Sequence, residues 1–464
     1  MKKLFCFLTF VFTINNLLAQ TENYTIAIER FQKDYNSGKY DAIFNSFSPE
    51  MKQEFPLEKT KAFLSGLKAQ AGNIENKEFI KYQSTYASYK TEFERAVFEV
   101  NLSLDSQNTI NGFFVKPYET PKETQTKTIN ALNTYPKEIA GIIYSKSKDF
   151  PNQTQLSIAV VKNGKTSYYG IIKENDSLKP VSTQNKVFEI GSLTKVFTST
   201  VLASLVEKNK LKLTDYVNSY YPFSFKDNIR ISFESLANHT SGLPRLPQNL
   251  DVSNNMSNPY KNYHSKELDE YLKNLMKLEN EPSKVFSYSN LGTGLLGNTL
   301  GLSQKTSFLK LLQNIFDTYK MFHSFTSSEN LGNTLIKGHN KNGDVVPNWD
   351  FDVLFGAGGI LSTTEDLVKF ANAQFDPKNK ALALTRKPTF TVNDKIQMGL
   401  GWHIIKTTGD QELVWHNGGT GGYSSSMAIN VNNRSAVIIL SNVSEINDAV
   451  DSLCFELIKD PLKN

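Results

Sequence analysis

Two apolar hairpin patterns at opposite ends of the stretch 138–464 constrain this fold more than any other feature of the sequence. The first runs from Gln155 to Lys162 and from Lys165 to Ile171, joined by Asn163-Gly164, a pair that accepts the positive φ angles of a tight hairpin turn. The second runs from Ser424 to Val431 and from Ser435 to Ser441, and a helical pattern from about Glu445 to Lys459 follows it. Helical spacing prevails between the two. Strands from both ends of one domain with helices between them imply an α+β fold: an antiparallel sheet flanked by helices, with an all-helical insert.

The part before residue 119 has another character. From Ile26 to about Ile74 apolar residues recur at helical spacing (Ile28, Phe31, Tyr35; Phe63, Leu64, Leu67), and then the period shifts toward two in Thr91 to Leu104 and Thr109 to Val115. Residues 21–118 are therefore expected to form a small α+β domain, helices first and an antiparallel sheet second. Its make-up is loosely similar to cystatin-like and nuclear-transport-factor-like domains. Residues 119–137, rich in Thr, Lys, Pro and Asn, read as a solvated linker, and residues 138–464 as the larger domain. A chain of 464 residues is long for a single core, in keeping with that division.

Residues 1–20 carry Lys2 and Lys3, an apolar run from Leu4 to Phe12 and then Leu17-Leu18-Ala19-Gln20, the order of a secretory signal peptide. The run is too short for a comfortable membrane span, so a periplasmic or secreted protein with no stable span after cleavage is expected. The formal charge of +5 becomes 5 − 2 = +3 without those lysines, and no basic run remains that could track a phosphate backbone. Nucleic acid is thus not an expected partner. Of the two cysteines, Cys6 falls in the signal, which leaves Cys454 in the apolar pattern Leu453, Cys454, Leu457, Ile458. A disulfide framework and a cysteine-rich metal site are both excluded, and Cys454 reads as a core residue of a terminal helix.

Ser192-Leu193-Thr194-Lys195 opens a strongly apolar helical pattern, with Val196, Val201, Leu202, Leu205 and Val206 on a broad face. Residues three apart share a helical face, so the hydroxyl and the amine are brought together. A serine in the first turn has the positive helix end beside any oxyanion formed on a carbonyl under attack, and a lysine desolvated by apolar neighbours is a better base. Taken alone, the same residues also read as a capping serine and a solvated lysine. Tyr288-Ser289-Asn290 precedes a second apolar helix, where a phenol could relay a proton and an amide could bind a substrate carbonyl; equally, Tyr288 could pack and Asn290 could cap. The run His416-Asn417-Gly418-Gly419-Thr420-Gly421-Gly422 would let a backbone lie close to a ligand, or is a plain loop.

Taken together, residues of about 138 to 460 resemble the class C serine β-lactamases and related penicillin-binding proteins, D-amino-acid peptidases and esterases. The resemblance rests on Phe188 to Lys195, His239-Thr240-Ser241-Gly242-Leu243-Pro244, Phe286 to Asn290, Gly356 to Thr363, Gly399-Leu400-Gly401-Trp402 and His416 to Gly419, all in the family's order. It implies an acyl-enzyme on Ser192, with Lys195 and Tyr288 moving its proton, and no metal or organic cofactor. It also implies that Asn290 contacts the substrate amide, that His416 and Gly418 border the substrate, and that the amides of Ser192 and Gly419 hold the oxyanion. Where β-lactamases carry Lys-Thr-Gly this chain has His416-Asn417-Gly418, and a histidine supplies at most a partial charge near neutrality. The expected substrate is therefore a small-molecule or peptide acyl compound, an ester or a D-amino-acid peptide rather than an antibiotic. The alternatives are a genuine β-lactamase and a non-catalytic protein binding wall peptides or a partner on the same fold.

Other signals carry less. Gly292-Thr293-Gly294-Leu295-Leu296-Gly297 has the spacing of a dinucleotide loop but no strand leads into it, so close helix packing is expected. His239 is expected to serve a structural turn, His264, His323, His339 and His403 lack metal-ligand spacing, and Thr363 with Asp366 reads as a helix start.

Overall fold

The computed structural model describes residues 23–459 except 84–85, 119–127, 253–254, 256 and 408–411, so the expected signal peptide and the first part of the expected linker, 119–127, lie outside the described residues. The chain divides into two compact units, Met1–Gln125 and Thr126–Asn464.

In the first unit, helices over 23–36, Tyr40–Asn45, Pro49–Glu54 and Leu57–Ala71 precede a four-stranded antiparallel meander, Ile74–Gln83, Tyr86–Phe93, Val97–Leu104 and Ile110–Pro117. Ile28, Phe31, Tyr35, Leu64 and Ala71 from the helices meet Ala87, Tyr89, Val100 and Leu102 from the sheet in one core. The run read from Thr91 to Leu104 is in fact the end of one strand and the whole of the next. Phe93 N–H donates to Ala96 O at 2.8 Å, so the chain reverses between them.

The second unit is built on an antiparallel sheet drawn from both ends of the domain. Ser435–Ser441 lies between Ser424–Asn430 and Gln155–Lys162, which puts the two sequence hairpins side by side. The Asn163-Gly164 turn has φ of 50° and 75°, both positive. Side-chain alternation then sends one half of each strand to each face. Leu156, Ile158, Val160, Val437 and Ile439 pack with the helices Lys137–Ser147 and Asn447–Ile458, whereas Ala159, Val161, Ile438 and Leu440 join the core of the helical region. A sheet covered on both faces reads as a continuous apolar run, which these strands are. Ile129–Asn130, inside the expected linker, pairs in parallel with Ser177–Pro180 as the edge of this sheet.

The helical region holds a two-stranded ribbon, Phe188–Glu189 with Leu361–Ser362, so it is not purely helical. Directly after Phe188–Glu189 comes a 3-10 turn, Gly191–Leu193, and then the helix Thr194–Glu207, buried on nearly all sides. Burial on nearly all sides places this helix inside the core, and the turn before it, Gly191–Leu193, packs against the strand Glu412–Gly419.

Candidate active site

Backbone crowding fixes the turn that carries Ser192. Gly191 has φ 51°, and a Cβ there would fall 2.6 Å from Gly419 N; a Cβ on Gly418 would fall 2.1 Å from Ile190 O and 2.8 Å from Ser192 N. Only glycine allows the end of Glu412–Gly419 to lie this close to the serine turn. Ser425 Oγ donates to Ile190 O at 2.8 Å and holds the two together. Thr420 N–H donates to Tyr423 O, so by antiparallel alternation Gly419, opposite Ser424, sits in a non-hydrogen-bonded pair with its N–H turned away from Ser424–Asn430. Ser192 N–H is at the start of its turn, where no intrahelical acceptor precedes it. Both amides thus border the serine turn, Gly419 N lying 2.6 Å from where a Cβ on Gly191 would stand.

Lys195 is fully buried, and its Nζ lies 2.9 Å from Ser192 Oγ, 2.9 Å from Asn290 Oδ1 and 2.7 Å from Ala357 O. The Ala357 carbonyl is itself positioned by two threonines of the same helix: Thr198 Oγ1 donates to Gly356 O at 2.8 Å, and Thr194 Oγ1 accepts from Ile360 N–H at 3.1 Å. Burial, reinforced by the Arg245 charge, holds the Lys195 amine well below its usual range. A neutral amine has two N–H groups. The Asn290 and Ala357 oxygens can only accept, so they take both, and the nitrogen lone pair is left for the Ser192 proton. This is the arrangement of a base.

Tyr288 completes the triad with a hydroxyl hydrogen-bonded to Ser192, and burial pushes its phenol above the usual value. Neutral phenol and neutral amine therefore coexist in the resting site, an arrangement in which Lys195 can act as a base and Tyr288 keeps a proton it can give. The structure brings Ser192, Lys195 and Tyr288 together, as the sequence reading expects, but their neighbours differ from it. Ser289, not Asn290, caps the helix Asn290–Ser303, its Oγ accepting from Gly292 N–H at 2.8 Å. Asn290 has its carbonyl on Lys195 and its amide on Tyr260 Oη at 2.8 Å, so both ends are engaged within the protein.

His416 is 1% exposed, and its Nδ1 meets Asn417 O at 2.5 Å. Burial, with His403 and Lys195 beside it, lowers its pKa well below the ordinary value, so the ring is uncharged at neutral pH. It lies against the nucleophile's partner, 6.2 Å from the Tyr288 ring centre. His239 fulfils its turn role with φ 61°, its Nδ1 accepting from Ser289 N–H at 3.2 Å, and its ring also packs 4.4 Å from Tyr288. The turn it belongs to is thus the second wall of the tyrosine. Sequence reasoning did not single out Tyr260, the Ala357 carbonyl, Arg245 or His403; Ala357 and Arg245 lie in or next to quoted motifs, while Tyr260 has no local signal.

The discounted signals have structural roles. Gly294 packs on Leu354, and Gly297 on Gly356 and Phe308, inside the helix Asn290–Ser303. Thr363 Oγ1 accepts from Asp366 N–H at 3.1 Å as a helix cap. Cys454 is a buried free thiol, and among the described residues no cluster of three or more His, Cys, Asp or Glu could hold a metal. A cavity of about 1130 Å³ is lined by residues such as Lys162, Asn432, Arg434 and Phe455 and by none of Ser192, Lys195 and Tyr288.

Residues 151–453 match the family model described as Beta-lactamase. The chain belongs to the beta-lactamase family. A beta-lactamase of Pseudomonas fluorescens is 30% identical over 261 residues, covering 54% of this chain and 69% of that protein. Protein flp of Staphylococcus aureus (strain N315) is 27% identical over 309 residues, 62% of this chain but only 59% of that protein. Among solved structures, a beta-lactamase/D-alanine carboxypeptidase from Pseudomonas syringae superposes with a TM-score of 0.59 at 21% identity, over 71% of this chain and 99% of the other. A class C beta-lactamase from Rhodobacter sphaeroides gives 0.59 at 20% identity, over 70% and 99%. These neighbours share the beta-lactamase fold of the second unit. Residues 29–113 match a family described as a protein of unknown function (DUF3887).

Proposed function

We propose that this member of the beta-lactamase family is an exported serine hydrolase that works through an acyl-enzyme on Ser192 and cleaves esters or D-amino-acid peptides. The observation that carries the reading is the Lys195 amine, buried, uncharged and held by two acceptors so that its lone pair faces Ser192 Oγ. In the first half-reaction Ser192 Oγ bonds to the substrate carbonyl carbon while its proton moves to Lys195 Nζ. The oxyanion is held by the amides of Ser192 and Gly419. On collapse, Tyr288 gives its proton to the leaving oxygen or nitrogen and is reprotonated by the Lys195 ammonium. Water then attacks the acyl carbon, losing its proton to the same pair, and Ser192 is regenerated.

The substrate choice follows from His416, an uncharged ring that offers no full positive charge at the place of the β-lactamase lysine. A structural neighbour whose title names both beta-lactamase and D-alanine carboxypeptidase is compatible with this preference. Export is inferred from the signal-like order of residues 1–20. The test is a serine-directed phosphonate followed by mass mapping, with turnover measured on a chromogenic cephalosporin, a short-chain nitrophenyl ester and a D-alanyl peptide. Labelling at Ser192 that disappears in Ser192→Ala, with ester or peptide turned over fastest, supports the reading. Undiminished labelling of the variant would overturn the mechanism, and fastest cleavage of the cephalosporin would overturn the substrate class.

A further inference from the structure

Arg245 follows directly on the His239-to-Pro244 turn, and its backbone is fixed. Its carbonyl accepts from Asn290 N–H at 3.0 Å and Leu291 N–H at 3.1 Å, which ties it to the helix bearing Asn290. Its side chain is exposed, with Cζ 5.2 Å from the centre of the Tyr288 ring, and among the described residues it has no carboxylate partner. The groups that act electrostatically on Lys195, His239, His416 and Tyr288 are cations, imidazoles and phenols, with no Asp or Glu among them.

A permanently charged guanidinium therefore stands at the solvent side of the catalytic phenol, next to a site whose lysine and histidines are uncharged. An unpaired surface arginine is ordinarily solvated and unremarkable. Here it is aligned on the ring that hydrogen-bonds the nucleophile, and its flat fork of donors matches a carboxylate. We propose that Arg245 is a specificity-determining residue that selects acyl substrates carrying a carboxylate on the portion that extends over Tyr288. This rests on the serine-hydrolase reading and narrows its substrate class to anionic esters and peptides.

The test compares two nitrophenyl esters of the same acyl chain, one ending in a free carboxylate and the other in its methyl ester, on the full chain and on Arg245→Gln and Arg245→Lys. The readout is the ratio of kcat/KM for the anionic over the neutral ester, in which any effect of the Arg245 charge on Lys195 cancels. The wild type favours the anion; Arg245→Gln lowers the ratio at least roughly tenfold, mainly through KM, and Arg245→Lys restores part of it. A ratio unchanged in Arg245→Gln, both substrates falling together or neither falling, overturns the selectivity while leaving the serine mechanism intact. Failure of the wild type to cleave either ester or to be labelled at Ser192 overturns both.

Discussion

Gly418→Ala tests how the site is held open. The new Cβ would lie 2.1 Å from Ile190 O and 2.8 Å from Ser192 N in the serine turn, and 2.6 Å from Ser425 Oγ on the neighbouring strand. A carbon and a carbonyl oxygen sit comfortably at about 3.3 Å or more, so the strand end and the turn must part by about 1 Å. Displacement on that scale costs roughly 100-fold in rate, and loss of one oxyanion donor costs about 10²–10³-fold, equivalent to ~3–4 kcal/mol of transition-state stabilisation. The fold should survive, since overpacking costs about 1–3 kcal/mol. The assay is kcat/KM on a nitrophenyl ester, beside the rate of phosphonate labelling and the urea midpoint. Gly141→Ala, whose Cβ meets nothing within 4 Å, serves as the control and should match the wild type. Activity of Gly418→Ala within about threefold of wild type, in a folded protein, would refute the claim that the Gly191–Gly418 approach aligns the two amides.

Three further outcomes follow from burial. The rate should rise with pH as Lys195 loses its proton well below 10.5 and fall only where Tyr288 ionises, above 10; a rate still climbing through pH 10 would contradict the assignment. Burial holds His403 down to about 4 against 6.5 in the unfolded chain, so the unfolded state binds the proton first as pH falls. Stability from this group is intact above 6.5 and is lost between 6.5 and about 4, by about 3 kcal/mol at the end, and His403→Gln should flatten that part of the urea-midpoint curve; an equally steep curve would contradict it. Cys454, its thiol pushed up to about 12 among core residues, should resist thiol reagents in the native protein, and Cys454→Ala should leave kcat unchanged; rapid labelling would contradict its burial.

What the sequence made legible was local. The Asn163-Gly164 hairpin, the continuous apolar strands and the pairing of Ser192 with Lys195 all depend on neighbours a few residues apart, and the structure has each of them. Long-range partners left no such trace. The Ala357 carbonyl and Tyr260 reach Lys195 and Asn290 across the fold; Ala357 lies in a motif that does not name its partner, and nothing near Tyr260 in sequence marks it. Ile129–Asn130 was hidden because a two-residue edge strand has too few positions to show a period, and its polar setting argued for a linker. Ile74–Gln83, with Glu75, Lys77 and Lys81 along it, shows little alternation because much of it is exposed. Of the two readings open for Asn290, capping goes instead to Ser289, because serine and asparagine are both good caps and only the bond from Asn290 to Lys195 tells them apart.

The central claim is that Lys195 is an uncharged amine at working pH, and the most direct test is a carbon-13 NMR titration of its ε-carbon, assigned by comparison with Lys195→Arg. The account predicts a resonance that stays in the neutral-amine position at pH 8, while the surface lysines remain charged until far more alkaline pH. A Lys195 resonance that titrates together with those surface lysines would contradict it.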